Sequence, residues 1–568
     1  DGVVHEGLSE RLGAVFEAFG WNLIILKYGK LQKEAFDEPG GHLLKKWIDD
    51  CPNQLYSALI YEGGSTFKQR ILDDIGDQDI VSELINKRTD SEFLDLMANL
   101  GGHCVQTLIK VFEKVKDDKP TAFIAYTIKG WGTPLAGHKD NHAGLMTKAQ
   151  MNSFKLKYGI SDGNEWNRFS DEKNNVELDK YIKNLPFQKA KHRKFQSKKV
   201  SIDENVFINE TKISTQNAFG KILDQYAKNN TDFSRRILTT SPDVSVSTNL
   251  GPWINRKGLF SRKDGSDTFK DRKIPSAQKW IFSSQGQHIE LGIAEMNLFL
   301  MLGAAGLSHE FFGERLFPIG TVYDPFISRG LDAMNYACYQ DARFMIVGTP
   351  SGISLAPEGG AHQSIATPLI GISQPGLLSF EPAFADELAL IMNYGFNYLQ
   401  DESGGSIYLR LTTRSIDQPM REIDNELKNN IIKGGYWLKK PGPNPEVIIV
   451  YQGAVASEAI ESTALLGEKF KNSGVLSITS SDKLFHEWKN QNSTSHIELL
   501  LEGVPRDTRI ITVIDGHPMT LSWIGSIYGH KTIPLGVSSF GQTGKVEDLF
   551  KEFTIDSQSI SNLGFSIN

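Results

Sequence analysis

At 568 residues the chain is too long for one hydrophobic core and, at roughly 100–200 residues per domain, is expected to hold about three domains. Its hydrophobic fraction of 40% and charged fraction of 23% are those of folded globular domains, which excludes disorder and fibrous repeats. A net charge of −7 with both signs interspersed argues against nucleic acid or an anionic membrane as partner.

No run approaches the ~18 apolar residues a membrane span needs, and no secretory signal opens the chain, which implies a cytoplasmic protein. Cys51, Cys104 and Cys338 lie far apart without metal-ligand spacing, so they read as reduced core thiols, not as a disulfide framework or zinc site.

In chain order, Leu12, Val15, Phe16 and Phe19 recur on one helical face, Gly20 stands where a helix stops, and LIILKYG from Leu23 reads as a buried strand. TAFIAYTIKG from Thr121 is a second such run and ends in a glycine-rich loop. Short apolar runs alternating with helical stretches imply parallel strands covered on both faces, an α/β architecture. From about Lys155 to Asp203 the text turns polar, with QKAKHRKFQSKK in its middle, and reads as a surface connection whose basic cluster is a solvated face. Strand-like runs resume with RRILTTSPDV, ARFMIVGTPSG and SIYLRLTTR; KKPGPNPE breaks the pattern; then EVIIVYQGAVASEAIES reads as strand, turn and helix, followed by RIITVIDG and IPLGVSSFG. The expected division is 1–150, a linker over 151–205, a second α/β domain over 206–425 and a smaller third over 426–568. No internal repeat or low-complexity tract occurs.

Four segments carry candidate chemistry. In KGWGTPLAGHKDNHAGLM a loosened loop after a strand bears His138 and His142, able to exchange protons near neutral pH or to be plain exposed histidines. In IELGIAEMN, Glu290 and Glu295 are five apart; on a helix they would point about 140° from each other and do different jobs. Glu295, flanked by Ile293, Ala294 and Met296, is the one expected to be buried, where its carboxyl would act as a neutral donor; a half-exposed helix acid is the other reading. APEGGAHQS sets Glu358 and His362 on a glycine-containing loop. TVYDPFISRG supplies Tyr323 and Phe326, either walls for a heteroaromatic ring or plain core.

Taken in order, these segments resemble the thiamin-diphosphate enzymes of the transketolase and homodimeric pyruvate dehydrogenase superfamily, over nearly the whole chain. The opening DGVVHEGLSERLGAVFEAFGWNLIILKYG is similar to the stretch after that family's metal motif, TIKGWGTPLAGHKDNHAG to its glycine and histidine loop, GIAEMN to its cofactor-activating glutamate motif, and EGGAHQ to the loop ending in a catalytic histidine. The resemblance implies the thiamin-diphosphate-binding fold: three doubly wound α/β domains, the first, diphosphate-binding one incomplete, then a pyrimidine-binding domain and a transketolase-type C-terminal domain. It implies thiamin diphosphate and Mg2+ as cofactors. Glu295 would bond the aminopyrimidine ring nitrogen and favour the tautomer that activates the cofactor, and His142 and His362 would serve as catalytic proton donors or acceptors. Tyr323 or Phe326 would stack on the pyrimidine, Asp243 in TTSPDVS would lie near the thiazolium, and Glu358 and His138 would face the substrate.

The family's GDG motif and following asparagine, which hold the metal, do not appear in the expected place. A preceding segment of roughly 200 residues is therefore expected to supply the metal ligands, and the chain alone is expected to bind the cofactor poorly.

PEGGAHQ is closer to the pyruvate dehydrogenase loop than to the transketolase one. The implied activity is decarboxylation of pyruvate or a similar 2-oxo acid, with the acyl unit passed to the lipoyl group of an acyltransferase component, by a homodimer. The alternatives are a transketolase moving a two-carbon ketol unit between sugar phosphates, for which Arg329, Arg410 and Arg414 are candidate phosphate ligands, and a non-catalytic structural or regulatory relative.

Overall fold

The computed structural model describes residues 7–76, 79–167, 173–185, 188, 197–204, 206–490 and 493–566; most of the basic cluster within 188–199 and the first six residues of the opening segment lie outside the described residues. The chain divides into two compact units, Asp1–Lys189 and Ala190–Asn568.

In the first unit, α1 (Leu8–Ala18) leads into β1 (Asn22–Leu26), α2 (Asn53–Glu62) follows, and β2 (Thr121–Ala125) pairs with β1 in parallel, Asn22 opposite Thr121. Gly20, at φ +78°, closes α1 as its position predicts, and the next N–H, that of Trp21, reaches back to the Phe16 carbonyl. The apolar face of α1 is present but uncovered within this unit: Leu12, Val15 and Phe19 are exposed. The expectation that β1 is a buried strand is corrected on the same ground, since only Leu26 of its five residues is buried. The core of this unit is helical instead, built from Leu44, Phe67, Ile71, Phe93 and Met97. Among the described residues in and around the polar stretch, the helices Lys148–Lys157 and Asn175–Asn184 form with no buried residue in either.

Among its described residues the second unit holds two large sheets and a two-stranded antiparallel one that pairs Lys212–Ile213 with Ile416–Asp417. Its α3 (Thr215–Asn229) is capped by the Ser214 hydroxyl, which accepts from the Asn217 N–H, and ends at Asn230 in the left-handed region. Along the chain follow β3 (Ile237–Ser241), β4 (Leu259–Phe260), β5 (Phe282–Ser283), β6 (His288–Glu290), α4 (Glu295–Gly306), β7 (Phe317–Val322), α5 (Leu331–Tyr339), β8 (Met345–Gly348), β9 (Leu377–Phe380) and β10 (Ser406–Arg410). These strands form one wholly parallel sheet in the order β9-β10-β8-β7-β3-β6-β4-β5. The central strands are buried along their length, as the continuous apolar runs predict. The second sheet comprises β11 (Gly435–Lys439), β12 (Val447–Gln452), β13 (Gly474–Ile478), β14 (Arg509–Ile514) and β15 (Thr532–Leu535), in the order β11-β13-β12-β14-β15, with β11 antiparallel. Among the described residues no helix is long and apolar enough to cross a membrane.

The helix α4 sets the geometry of the strand ends. Leu298, Phe299 and Leu302 are fully buried against β7 and α5, and Gly330, at the start of α5, lets Phe299 in: a Cβ there would meet its ring at 2.1 Å. Gly330→Ala is expected to overpack this contact and lower stability by about 1–3 kcal/mol, measured by denaturant unfolding.

Candidate active site

The parallel sheet brings its chemistry to the carboxyl ends of its strands, where open α/β sheets place ligands. The segments after β3, β6, β7 and β8 enclose a cavity of about 310 Å³ lined by Asp243, Glu295, Tyr323, Phe326, Arg329, Glu358 and His362, with Val244, Ser247 and Ile293 among the remaining wall residues. Six of the eight residues to which the resemblance gives a role thus meet in one place. Each comes from a different turn or loop, except that Tyr323 and Phe326 share the segment after β7 and Glu358 and His362 the segment after β8.

Glu295 opens α4, where the helix N-terminus favours an anion, and it is only 8% exposed. The Arg329 guanidinium donates to its carboxylate and also covers the Phe326 ring, with the guanidinium carbon 3.9 Å from the ring centre. Tyr323 and Phe326 are nearly parallel, their rings 6.0 Å apart and 9° from coplanar, and His362 meets both edge-on at 6.2 and 5.3 Å.

Glu290 and Glu295 do not share a helix, contrary to the expectation. Glu290 ends β6 and Glu295 begins α4, separated by Gly292 at φ +67°. Their jobs differ nonetheless. Glu290 accepts hydrogen bonds from the Asp243 N–H at 2.8 Å and the Ser245 hydroxyl at 2.7 Å, and lies 3.5 Å from the buried His288 ring. Burial pushes its carboxyl up, but these donors outweigh burial and hold it below the ordinary glutamate value. Glu290 thereby fixes Asp243, a residue at φ +64°, at the cavity wall.

A second group, missed in the sequence, holds the walls from behind. Asp324, next to Tyr323 and wholly buried, accepts from Arg410 Nε at 3.0 Å, Thr367 Oγ1 at 2.5 Å, Ser364 Oγ and the Tyr408 hydroxyl. Arg410 also donates to Glu381, itself bonded by Gln452, and the nearby Asp515 accepts from the Ile353 and Ser354 N–H groups. Burial lowers the Arg410 guanidinium, yet Glu381 and Asp324 outweigh it and hold it above its ordinary value. Since Ser364 and Thr367 follow His362 directly, the knot ties the aromatic segment to the histidine loop. An arginine within the apolar run SIYLRLTT was the available signal, because a charge in a buried strand has to be paired.

Of the three arginines considered as phosphate ligands, only Arg329 reaches the cavity. Arg410 is committed to the knot, and Arg414 pairs with Glu458 and lies over Phe550.

The loop histidines belong to the first unit. His138 lines a cavity there of about 440 Å³ with Tyr61, Ser57 and Lys129, its ring 4.6 Å from that of Tyr61. His142 is exposed, with Nδ1 2.7 Å from Lys129 Nζ.

The family model described as the pyruvate dehydrogenase E1 component middle domain matches residues 200–419, the part that carries this cavity, and that of the transketolase-like C-terminal domain matches residues 434–556. The pyruvate dehydrogenase E1 component of Escherichia coli is 23% identical over 97% of this chain and 64% of its own length. The chain belongs to the thiamin-diphosphate-dependent transketolase and pyruvate dehydrogenase superfamily. The corresponding component of Buchnera aphidicola subsp. Acyrthosiphon pisum is 26% identical over 83% of this chain and 55% of its own. A solved transketolase from Leishmania mexicana shares the fold with a TM-score of 0.61 at 19% identity, over 82% of this chain and 65% of that one. The chain thus spans about two thirds or less of the length of these superfamily members.

Two outcomes follow for the superfamily fold in this chain. Arg410→Met leaves Asp324 and Glu381 buried without a cation and is expected to cost about 3–5 kcal/mol in chemical denaturation. The Glu290 contribution is that of a carboxyl depressed by folding, so it is complete above the ordinary glutamate range and lost as pH falls through the lower folded value. The stability gap between wild type and Glu290→Gln should therefore narrow toward acid pH in parallel denaturation series.

Proposed function

We propose that this chain carries the pyrimidine-binding side of a thiamin-diphosphate site in an enzyme that decarboxylates pyruvate or a similar 2-oxo acid and passes the acyl unit to a lipoyl group. The observation that carries the reading is the cavity itself: a buried carboxylate, Glu295, beside the nearly parallel rings of Tyr323 and Phe326, with His362 at their edge. A flat heteroaromatic ring with a basic nitrogen fits that combination of acid and aromatic wall. The middle-domain match and the curated relatives support pyruvate dehydrogenase chemistry.

Thiamin diphosphate, when bound, supplies a carbon nucleophile for the substrate carbonyl. Glu295 holds and exchanges a proton at the pyrimidine ring nitrogen through its carboxyl oxygens, and Tyr323 and Phe326 orient the ring. His362 would move a proton to or from the substrate oxygen, with Glu358 lining the same cavity, and Asp243 would face the thiazolium part of the cofactor. The diphosphate requires Mg2+ in this superfamily, and among the described residues no group of three His, Cys, Asp or Glu could hold a metal, so no step here is assigned to the ion.

A homodimer is part of the proposal. Ile293, Leu300, Tyr336 and Tyr339 are exposed on and beside α4 and α5, two helices packed on each other, and a second copy of the chain would cover them. Transketolase activity is the second reading, favoured by the solved structures and by the one arginine at the cavity.

The test is a steady-state assay of the complete protein with thiamin diphosphate and magnesium. Pyruvate is expected to turn over in preference to xylulose 5-phosphate, and Glu295→Gln is expected to cut turnover by at least ~100-fold. The opposite preference would replace the pyruvate assignment, and indifference to Glu295→Gln would point to a non-catalytic relative.

A further inference from the structure

The cavity holds a cation of its own. Arg329 donates to Glu295 and lies over Phe326, and all three residues line the same space. Phe326 packs against the apolar cluster that contains Phe299 and Leu302, so the guanidinium covers a ring face that the core leaves open. The two partners differ in mobility. Glu295 is fixed in the first turn of α4 with its side chain 10% exposed, whereas that of Arg329 is 52% exposed at the end of a long flexible stem.

We infer that Arg329 is the resident occupant of the aromatic seat, a planar cation that a ligand ring has to displace from both Phe326 and Glu295 before it can stack and be reached by the carboxylate. This rests on the thiamin reading above. At half exposure each contact contributes only a few-fold to any equilibrium, so the arginine can be displaced while still taxing every ligand that enters. It also keeps Glu295 from standing as an unpaired charge in an empty, buried site.

A selectivity follows. A ring that offers a π face but no nitrogen leaves Glu295 stripped of its partner, and a cation without a flat face leaves Phe326 uncovered. Only a ligand that supplies both replaces what the guanidinium gave up.

The test measures binding, not turnover. The complete protein is titrated with thiamin diphosphate in the presence of magnesium, by calorimetry, as wild type, Arg329→Gln and Arg329→Lys, with thermal melts to establish that all three are folded. Arg329→Gln is expected to bind about five- to tenfold more tightly than wild type, the two lost contacts combined, and Arg329→Lys to lie between, since it keeps the charge without the planar stack. The gain should shrink when Arg329→Gln is made in a Glu295→Gln background, because the two residues act on each other. Binding by Arg329→Gln that is equal to or weaker than wild type overturns the inference alone, the weaker result making Arg329 a ligand contact. Absence of binding in all three folded proteins overturns the thiamin reading and the inference with it.

Discussion

The arrangement of the cavity depends on one buried ionic knot. Arg410 sits at the end of a central strand with Asp324 and Glu381 on its guanidinium, and all three are buried. Such a group adds little net stability compared with a well-packed apolar core, because desolvation cancels most of the Coulomb gain. Its effect is geometric. Asp324 can satisfy Arg410, Tyr408, Ser364 and Thr367 together only if the segment after β7 and the loop after β8 lie in one register, and that register puts Tyr323, Phe326 and His362 at one wall. The same knot reaches the second sheet through Gln452, at the end of β12, and is flanked by Asp515, after β14. The second sheet therefore takes part in shaping a cavity to which it contributes no lining residue among those described.

The two units reach stability by different routes. In the second, long parallel strands are buried on both faces and carry the largest apolar clusters. In the first, the paired strands number only two among the described residues, and a two-stranded sheet is marginal on its own. There the apolar residues collect among helices, while α1 presents Leu12, Val15 and Phe19 outward and β1 buries only Leu26. Apolar periodicity thus marked the right helix and strand but not their environment. Periodicity says which residues share a face, and only the neighbours decide whether that face meets protein.

Much of the fold was legible because buried parallel strands leave continuous apolar runs, and all five runs from RRILTTSPDV through RIITVIDG became strands at the expected places. The six cavity residues of the second unit were legible for a related reason: they sit one to a few residues past strand ends or on glycine-containing turns, where a side chain is held by its backbone and needs no periodic pattern. The partners were not legible. The place of Arg410 inside a buried apolar strand says that it must be paired, but nothing local names its partners, nor those of Arg329 in the segment after β7. The contacts span 34 residues from Arg329 to Glu295 and 86 from Arg410 to Asp324.

The two acids of IELGIAEMN show how one short segment can hold opposite roles. Their five-residue spacing suggested divergent faces of a single helix, but the chain breaks between them, at Gly292, into strand end and helix start. Glu290 is surrounded by donors fixed in the sheet and the β3 turn, an amide, a hydroxyl and a buried imidazole, which stabilise its anion and leave it nothing to exchange. Glu295 has no such cage among the described residues; there its carboxylate is held by a single half-exposed arginine. A carboxylate held by rigid amides is a scaffold, whereas one held by a displaceable cation can change partners without unmaking the fold. The difference in what surrounds them, more than burial or sequence context, leaves Glu295 free to exchange partners, as the proposed function requires, and makes Glu290 the acid that fixes Asp243 at the cavity wall.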